Sequence, residues 1–284
     1  MKSINKKRFF KSIRKKWRST LILIGILVLV FGVGITALVL LRRSSELDMT
    51  SAYSVKDEMY GTHGAESSAE KASSFASSYA VSSGNKSLEG VAISDTTKAG
   101  LFDLDHGTVM FAQDIHEKSY PASITKIMTT LLALENGNLS DMVTFSDDAI
   151  NNTEGSGIAR DYGEQMTLEQ CLYGVMLESA NECAYAVAEH VGGTVENFVD
   201  MMNAKAKELG CTNTHFANPH GLQDENHYTT AHDMALIAQA AYQNETFRII
   251  IGTKMYTIPP TNKHAEETVL RNHHDMLCTY HNAN

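Results

Sequence analysis

Residues 121–137 read PASITKIMTTLLALENG: a serine two residues after a proline, a lysine three residues further on, and an apolar run that ends at Asn136-Gly137. The spacing predicts a helix from about Ser123 to Leu134, stopped by the Asn-Gly pair. On such a helix residues i and i+3 share a face, so Ser123 and Lys126 stand together. The free N–H groups and positive dipole end of a helix N-terminus favour a developing oxyanion there. The same potential, with partial burial, lowers the pKa of Lys126 and suits it to act as a neutral base. A serine needs that help, because its hydroxyl is a weak nucleophile when unassisted. Taken alone, the residues also fit an N-cap serine with a lysine on the solvated side of an ordinary amphipathic helix.

Pattern matching does not separate these two possibilities. Ser-x-x-Lys occurs at Ser3/Lys6, Ser12/Lys15, Ser68/Lys71, Ser83/Lys86 and Ser123/Lys126, and only the last begins an apolar helix. Ser-x-Asn occurs at Ser3/Asn5, Ser83/Asn85 and Ser179/Asn181. Ser179 and Asn181 stand between two helical stretches, where both residue types also serve as caps.

Toward the N-terminus the composition changes twice. Residues 1–19 carry nine Lys and Arg and no acid, and residues 20–41, TLILIGILVLVFGVGITALVLL, carry no charge. At a rise of about 1.5 Å per residue this run reaches about 33 Å, enough to cross a hydrocarbon core. A signal peptide has a shorter apolar core and a small-x-small cleavage site, whereas this run ends in Leu-Leu-Arg-Arg. The expectation is an uncleaved, single-pass transmembrane helix in the cell membrane. The basic segment 1–19 should stay cytoplasmic and the body should lie outside.

Eleven of the 24 basic residues fall within 1–43, which leaves 13 against 33 acidic side chains, a net charge near −20 with His neutral. An exported part so acidic excludes nucleic acid as its partner, since a phosphate backbone requires a basic face. The basic leader suits topology and anionic lipid instead. Residues 42–87 hold many serines and few large apolar side chains, the composition of a flexible linker. Residues 88–284 are expected to form the folded domain.

Within that domain AGLFDLDHGTVMFAQD (99–114) predicts two short strands around a turn at Asp105-His106-Gly107. Thr167 and Gln170 predict a capping box for a helix over LEQCLYGVML, with Leu168, Cys171, Leu172, Val175 and Met176 at helical spacing. ECAYAVAEHV follows as a helix ending at Gly192-Gly193, Thr194 caps VENFVDMMNAKAKEL, and Thr230 caps AHDMALIAQAAYQ. Strand character returns at KMYTI and ETVL between Lys254 and Leu270. Strands, a helical middle and strands again predict an α+β domain, a helical cluster packed on an antiparallel sheet.

Four texts, SYPASITKIMTTLLALE, CLYGVMLESANECA, FVDMMNAKAKELGCTNTHFANPHGL and YTTAHDMALIA, follow in that order. Together they resemble the low-molecular-mass D-alanyl-D-alanine carboxypeptidases, penicillin-binding serine peptidases with a β-lactamase-like fold. NPHGL followed by TTAHDMA is more specific than either short motif, and the resemblance runs from about residue 90 to the C-terminus. It implies that Ser123 is the nucleophile, Lys126 its base partner, Ser179 a proton relay to the leaving amine, and Asn181 a ligand of Lys126 and of the substrate amide. It implies peptidoglycan stem peptides as substrates, β-lactams as acylating inhibitors, one oxyanion donor in the Ser123 N–H, and no metal or other cofactor. The family's third element, Lys-Thr-Gly or Lys-Ser-Gly, does not occur; GTKMY at 252–256 is the nearest text. The chain ends in text resembling the region before that element, so an incomplete domain lacking its closing strands is expected. The alternative is a degenerate relative that binds wall peptides or β-lactams without turnover.

His273, His274, Cys278 and His281 crowd the tail with ligand types that suit zinc, at a spacing that matches no zinc pattern. Cys171, Cys183, Cys211 and Cys278 are too few and scattered for a disulfide scaffold, and buried free thiols are expected. His220, in the NPHGL loop, is expected to stabilise a turn near the cleft. The remaining histidines are read as structural, and Arg160 and Tyr162 receive no role.

Overall fold

The structure, a computed structural model, describes residues 82–275 and 277. The expected cytoplasmic segment, transmembrane helix and most of the linker lie outside these residues. No helix among the described residues is long and apolar enough to cross a membrane.

The first hairpin pairs β1 (Ala99–Asp103) with β2 (Thr108–Gln113) antiparallel, with an irregularity between Leu101 and Phe102. His106 lies in the connecting turn and its Nδ1 meets Asp103 Oδ2 at 2.8 Å. A 3₁₀ turn (Ala122–Thr125) then leads into α1 (Lys126–Asn136), so the regular helix begins three residues later than the sequence predicts. After β3 (Met142–Thr144), α2 (Asp147–Asn151) and β4 (Gln165–Thr167) come α3 (Leu168–Leu177), α4 (Asn181–Gly192) and α5 (Val195–Glu208). α6 (Ala231–Gln243), α7 (Glu245–Gly252), β5 (Met255–Ile258) and β6 (Thr268–Arg271) complete the order.

The predicted caps are formed. Thr167 and Gln170 make a reciprocal capping box on α3, and the Thr194 and Thr230 hydroxyls accept from the N3 amides of α5 and α6. Each such cap contributes about 1 kcal/mol. Four elements escaped the sequence pattern. β3 and β4 are three residues each, too short to show alternation, and α2 is a single turn capped by Ser146. α7 had a signal that could have been read, Asn244 followed by a first-turn Glu245; the Asn244 side chain accepts from Phe247 N.

The expected single antiparallel sheet is corrected to three separate two-stranded ladders among the described residues: β1-β2, β3-β4 and β5-β6. The first ladder packs in a small cluster of its own, whereas the other two pack into one shared core. Val109, Ala112 and Ile115 of the first hairpin region pack with Phe102 and Ala231, while β3, β4, β5 and β6 contribute Val143, Met166, Ile258 and Leu270 to the core built around α3 and α4. A second apolar cluster joins α1, α5 and α6 through Met128, Leu131, Phe198, Met202, Leu236 and Ile237. Every one of those side chains is at most 2% exposed, and burial of each stabilises by roughly 1.5–3 kcal/mol. α4 runs between the two clusters, and its alanines allow close approach from both sides. Gly174 of α3 sits where a Cβ would lie 3.0 Å from Cys183 Sγ, so the α3–α4 crossing requires a small residue there. Cys171, Cys183 and Cys211 are buried free thiols; Cys278 lies outside the described residues.

Candidate active site

Ser123 belongs to the 3₁₀ turn and Lys126 to the first position of α1. With three residues per turn, a 3₁₀ segment eclipses positions i and i+3. The side chains are therefore stacked, and Lys126 Nζ lies 3.1 Å from Ser123 Oγ. Ser123 is exposed, whereas Lys126 is 2% exposed. The residue before the serine, Ala122, has φ 49°, a left-handed conformation costly for a residue with a Cβ.

Lys126 Nζ has three neighbours: Ser123 Oγ, Asn181 Oδ1 at 2.7 Å and the His220 carbonyl at 2.7 Å. Burial lowers the pKa of Lys126 from 10.5 to about 8, while the Glu182 carboxylate and Cys183 hold it up. The depression amounts to about 3 kcal/mol in favour of the neutral amine relative to water. Two of the neighbours can only accept. The Asn181 amide donates through Nδ2 to the Glu154 carbonyl, which turns its oxygen to Lys126. In the neutral amine both remaining N–H groups go to Asn181 and His220, and the lone pair is left facing the Ser123 hydroxyl. That is the polarity of a general base.

Asn181 opens α4, and its backbone N–H donates to Ser156 O at 2.8 Å. Glu182 is buried and accepts from Ile158 N at 2.6 Å, so the 154–158 loop is held on the first turn of α4. Ser179 has φ 57°, and its Oγ is buried with no hydrogen-bond partner. Neither Ser179 nor Asn181 caps a helix; Ala180 occupies the N-cap of α4 without a side-chain bond.

The 217–222 loop forms the other wall. Gly221 has φ 89°, and a Cβ there would stand 1.9 Å from the Ala122 carbonyl oxygen, so this backbone lies directly on the turn that carries Ser123. Pro219 O accepts from Thr129 Oγ1 at 2.6 Å, and Asn218 Oδ1 accepts from Gly221 N at 2.7 Å. The His220 ring accepts at Nδ1 from Leu222 N, the turn role expected of it, while its carbonyl adds the contact to Lys126. Burial and the Lys126 charge lower the His220 pKa to about 4.

His227, expected from the sequence to be structural, reaches Thr125 Oγ1 across 102 positions of sequence. No periodicity marks such a partner; only its place in the text before TTAHDMA hints at it. Arg160, given no role, is buried and pairs with Glu164 at 2.8 Å; it also donates to Thr268 Oγ1 at 3.0 Å, tying its loop to β6. Tyr162 is exposed. At the tail His273 pairs with Glu178 at 2.7 Å, and no cluster of three His, Cys, Asp or Glu that could hold a metal exists among the described residues. Cys278 and His281 lie outside them.

Comparison with known proteins bears on this arrangement. The Peptidase S11 family, described as D-alanyl-D-alanine carboxypeptidase, matches residues 86–284. The chain belongs to this family. It is 42% identical over 164 residues to DacF of Bacillus subtilis, covering 56% of this chain and 42% of that protein. It is 38% identical over 144 residues to DacA of Haemophilus influenzae, covering 48% and 37%. Both relatives are D-alanyl-D-alanine carboxypeptidases, and the chain spans less than half the length of either. A Ser-to-Ala variant of the Streptomyces K15 DD-transpeptidase superposes with TM-score 0.62 at 29% identity, over 67% of this chain and 79% of that one. The D-alanyl-D-alanine carboxypeptidase of Mycobacterium tuberculosis H37Rv gives TM-score 0.61 at 31% identity, over 69% and 74%. The fold is thus the α+β fold of the penicillin-binding DD-transpeptidases, with helices and small antiparallel sheets.

Proposed function

We propose that this protein is a membrane-anchored, serine-type D-alanyl-D-alanine carboxypeptidase that trims the terminal D-alanine from peptidoglycan stem peptides. The observation that carries the reading is the placement of Lys126 Nζ between Ser123 Oγ and two pure acceptors. In the proposed reaction Ser123 Oγ attacks the carbonyl of the penultimate D-alanine and its proton passes to neutral Lys126. The Ser123 N–H stabilises the oxyanion as one donor of the hole. When the tetrahedral intermediate collapses the C–N bond breaks, and the terminal D-alanine leaves as an amine that takes a proton through Ser179. Water then hydrolyses the ester and restores Ser123.

An unpartnered, buried hydroxyl at Ser179 costs a fold roughly 1–3 kcal/mol, which supports a chemical use for it. Asn181 would steady both Lys126 and the substrate amide. β-Lactams would acylate the same serine. No residue of the site needs a metal. Residues 20–41 would anchor the protein in the lipid bilayer, with the N-terminus cytoplasmic and the domain outside, and nucleic acid is no partner of so acidic a body.

Labelling the full chain with a fluorescent penicillin tests the reading, alongside release of D-alanine from a wall pentapeptide. Wild type should take one label per chain and Ser123→Ala none. Equal labelling of the two would refute the serine assignment. Labelling without release of D-alanine would replace the hydrolase by a ligand-binding relative.

A further inference from the structure

His227 is 1% exposed, and the chemistry proposed above makes no use of it. Both of its ring nitrogens are nevertheless engaged. Nδ1 lies 3.0 Å from the Ala217 N–H, which can only donate, so Nδ1 carries a lone pair. The proton of the neutral ring therefore sits on Nε2 and is donated to Thr125 Oγ1 at 2.8 Å. Burial holds the ring in this neutral form, lowering its pKa to about 4 against the Asp224 carboxylate.

The two ends of this bridge are not arbitrary. Thr125 is fully buried and stands between Ser123 and Lys126 in the nucleophile turn. Ala217 begins the loop whose carbonyls at 219 and 220 take Thr129 and Lys126, and whose Gly221 lies on Ala122. A sub-ångström slip between these two segments would change the direction from Lys126 Nζ to Ser123 Oγ.

We propose that His227 is a positioning residue for acyl transfer, an imidazole clamp that locks the Ser123–Lys126 turn to the 217–221 loop so that the Lys126 lone pair stays aimed at the Ser123 hydroxyl. The proposal rests on the acyl-transfer reading above. A residue that only fills space could be replaced by an apolar one of similar size, whereas a clamp requires a donor and an acceptor on one side chain. Glutamine supplies both and leucine neither. Thr125→Val removes the acceptor at the far end with almost no change of volume.

The test uses the full chain and a fluorescent penicillin over a range of concentrations, so that the encounter constant and the acylation rate constant are obtained separately for the fraction that labels. Hydrogen exchange by mass spectrometry is measured on the same proteins. His227→Leu and Thr125→Val should each lower the acylation rate constant about 10–100-fold with the encounter constant little changed. The double variant should be no slower than the slower single, because both remove one interaction. His227→Gln should stay within about threefold of wild type, and exchange over 122–129 should rise in His227→Leu while α5 keeps its protection. Wild-type acylation by His227→Leu, or fully additive losses in the double variant, would overturn the clamp. If wild type takes no label, the acyl-transfer reading fails by itself and exchange still decides. Unchanged protection of 122–129 in both His227→Leu and Thr125→Val would then refute the clamp.

Discussion

Replacing Gly221 by alanine tests how tightly the Ser123–Lys126 turn depends on the loop that lies over it. The new Cβ would stand 1.9 Å from Ala122 O, 2.4 Å from Ala122 C and 3.1 Å from Ser123 N. Ordinary van der Waals separation requires the two backbones to part by more than about 1 Å. The loop cannot retreat that far without stretching the His220 O–Lys126 Nζ and Pro219 O–Thr129 Oγ1 bonds, now 2.7 and 2.6 Å. A charge-assisted bond of the first kind contributes about 1.5–3 kcal/mol, and φ 89° costs an alanine about 1 kcal/mol more. The expected loss is therefore about 3 kcal/mol, a fall in Tm of roughly 6–12 °C for a domain of this size. Displacement of Ser123 against Lys126 by about 1 Å should also slow acylation about 100-fold. Thermal unfolding and penicillin acylation of the purified variant measure the two effects. A Gly221→Ala protein whose Tm stays within about 2 °C, and whose acylation stays within threefold of wild type, would refute this account of the loop.

The acylation rate should rise with pH and level off above an inflection near 8, because Lys126 must be neutral to accept the serine proton and its pKa lies at about 8; only about a tenth of the chains carry the neutral amine at pH 7. A flat profile between pH 6 and 9 would count against Lys126 as the base. Glu182→Gln keeps an oxygen to accept from Ile158 N but removes the negative charge that holds the Lys126 pKa up, so the inflection should move to lower pH; movement upward would show the electrostatic argument to be wrong. Arg160→Ala should destabilise by about 3 kcal/mol, since it takes the guanidinium from the fully buried Glu164 carboxylate, which keeps hydrogen bonds from Asp161 N and Thr261 Oγ1. Chemical denaturation measures this, and a loss below 1 kcal/mol would contradict it.

Much of the local structure was legible in the sequence because its causes are local. The Thr167–Gln170 box, the Thr194 and Thr230 caps and the Asp105-His106-Gly107 turn depend on residues within three or four positions of one another. They formed where the pattern places them. The start of α1 did not follow the apolar pattern, because the residues before Lys126 take the tighter 3₁₀ path with a left-handed Ala122 ahead of it. The single sheet was an inference from strand order alone. Which strands pair depends on where the helices between them place each strand, and alternation in the sequence carries no such information.

The site divides in the same way. Ser123, Lys126, Ser179 and Asn181 were named from text, and spacing alone could place only the first two on one face. That Asn181 Oδ1 reaches Lys126 from 55 positions away, and the His220 carbonyl from 94, is decided by the packing of α1 against α4 and of the 217–222 loop over both. His227, Thr129 and Glu182 carried no pattern, because their partners are backbone atoms or residues distant in the chain. Composition and periodicity by themselves determined the acidic body and the longer helices with the Thr167, Thr194 and Thr230 caps. The chemistry proposed for the site rests on one amine losing water and gaining three neighbours. Only the tertiary structure decides that, since desolvation and hydrogen-bond direction exist only where separate segments meet.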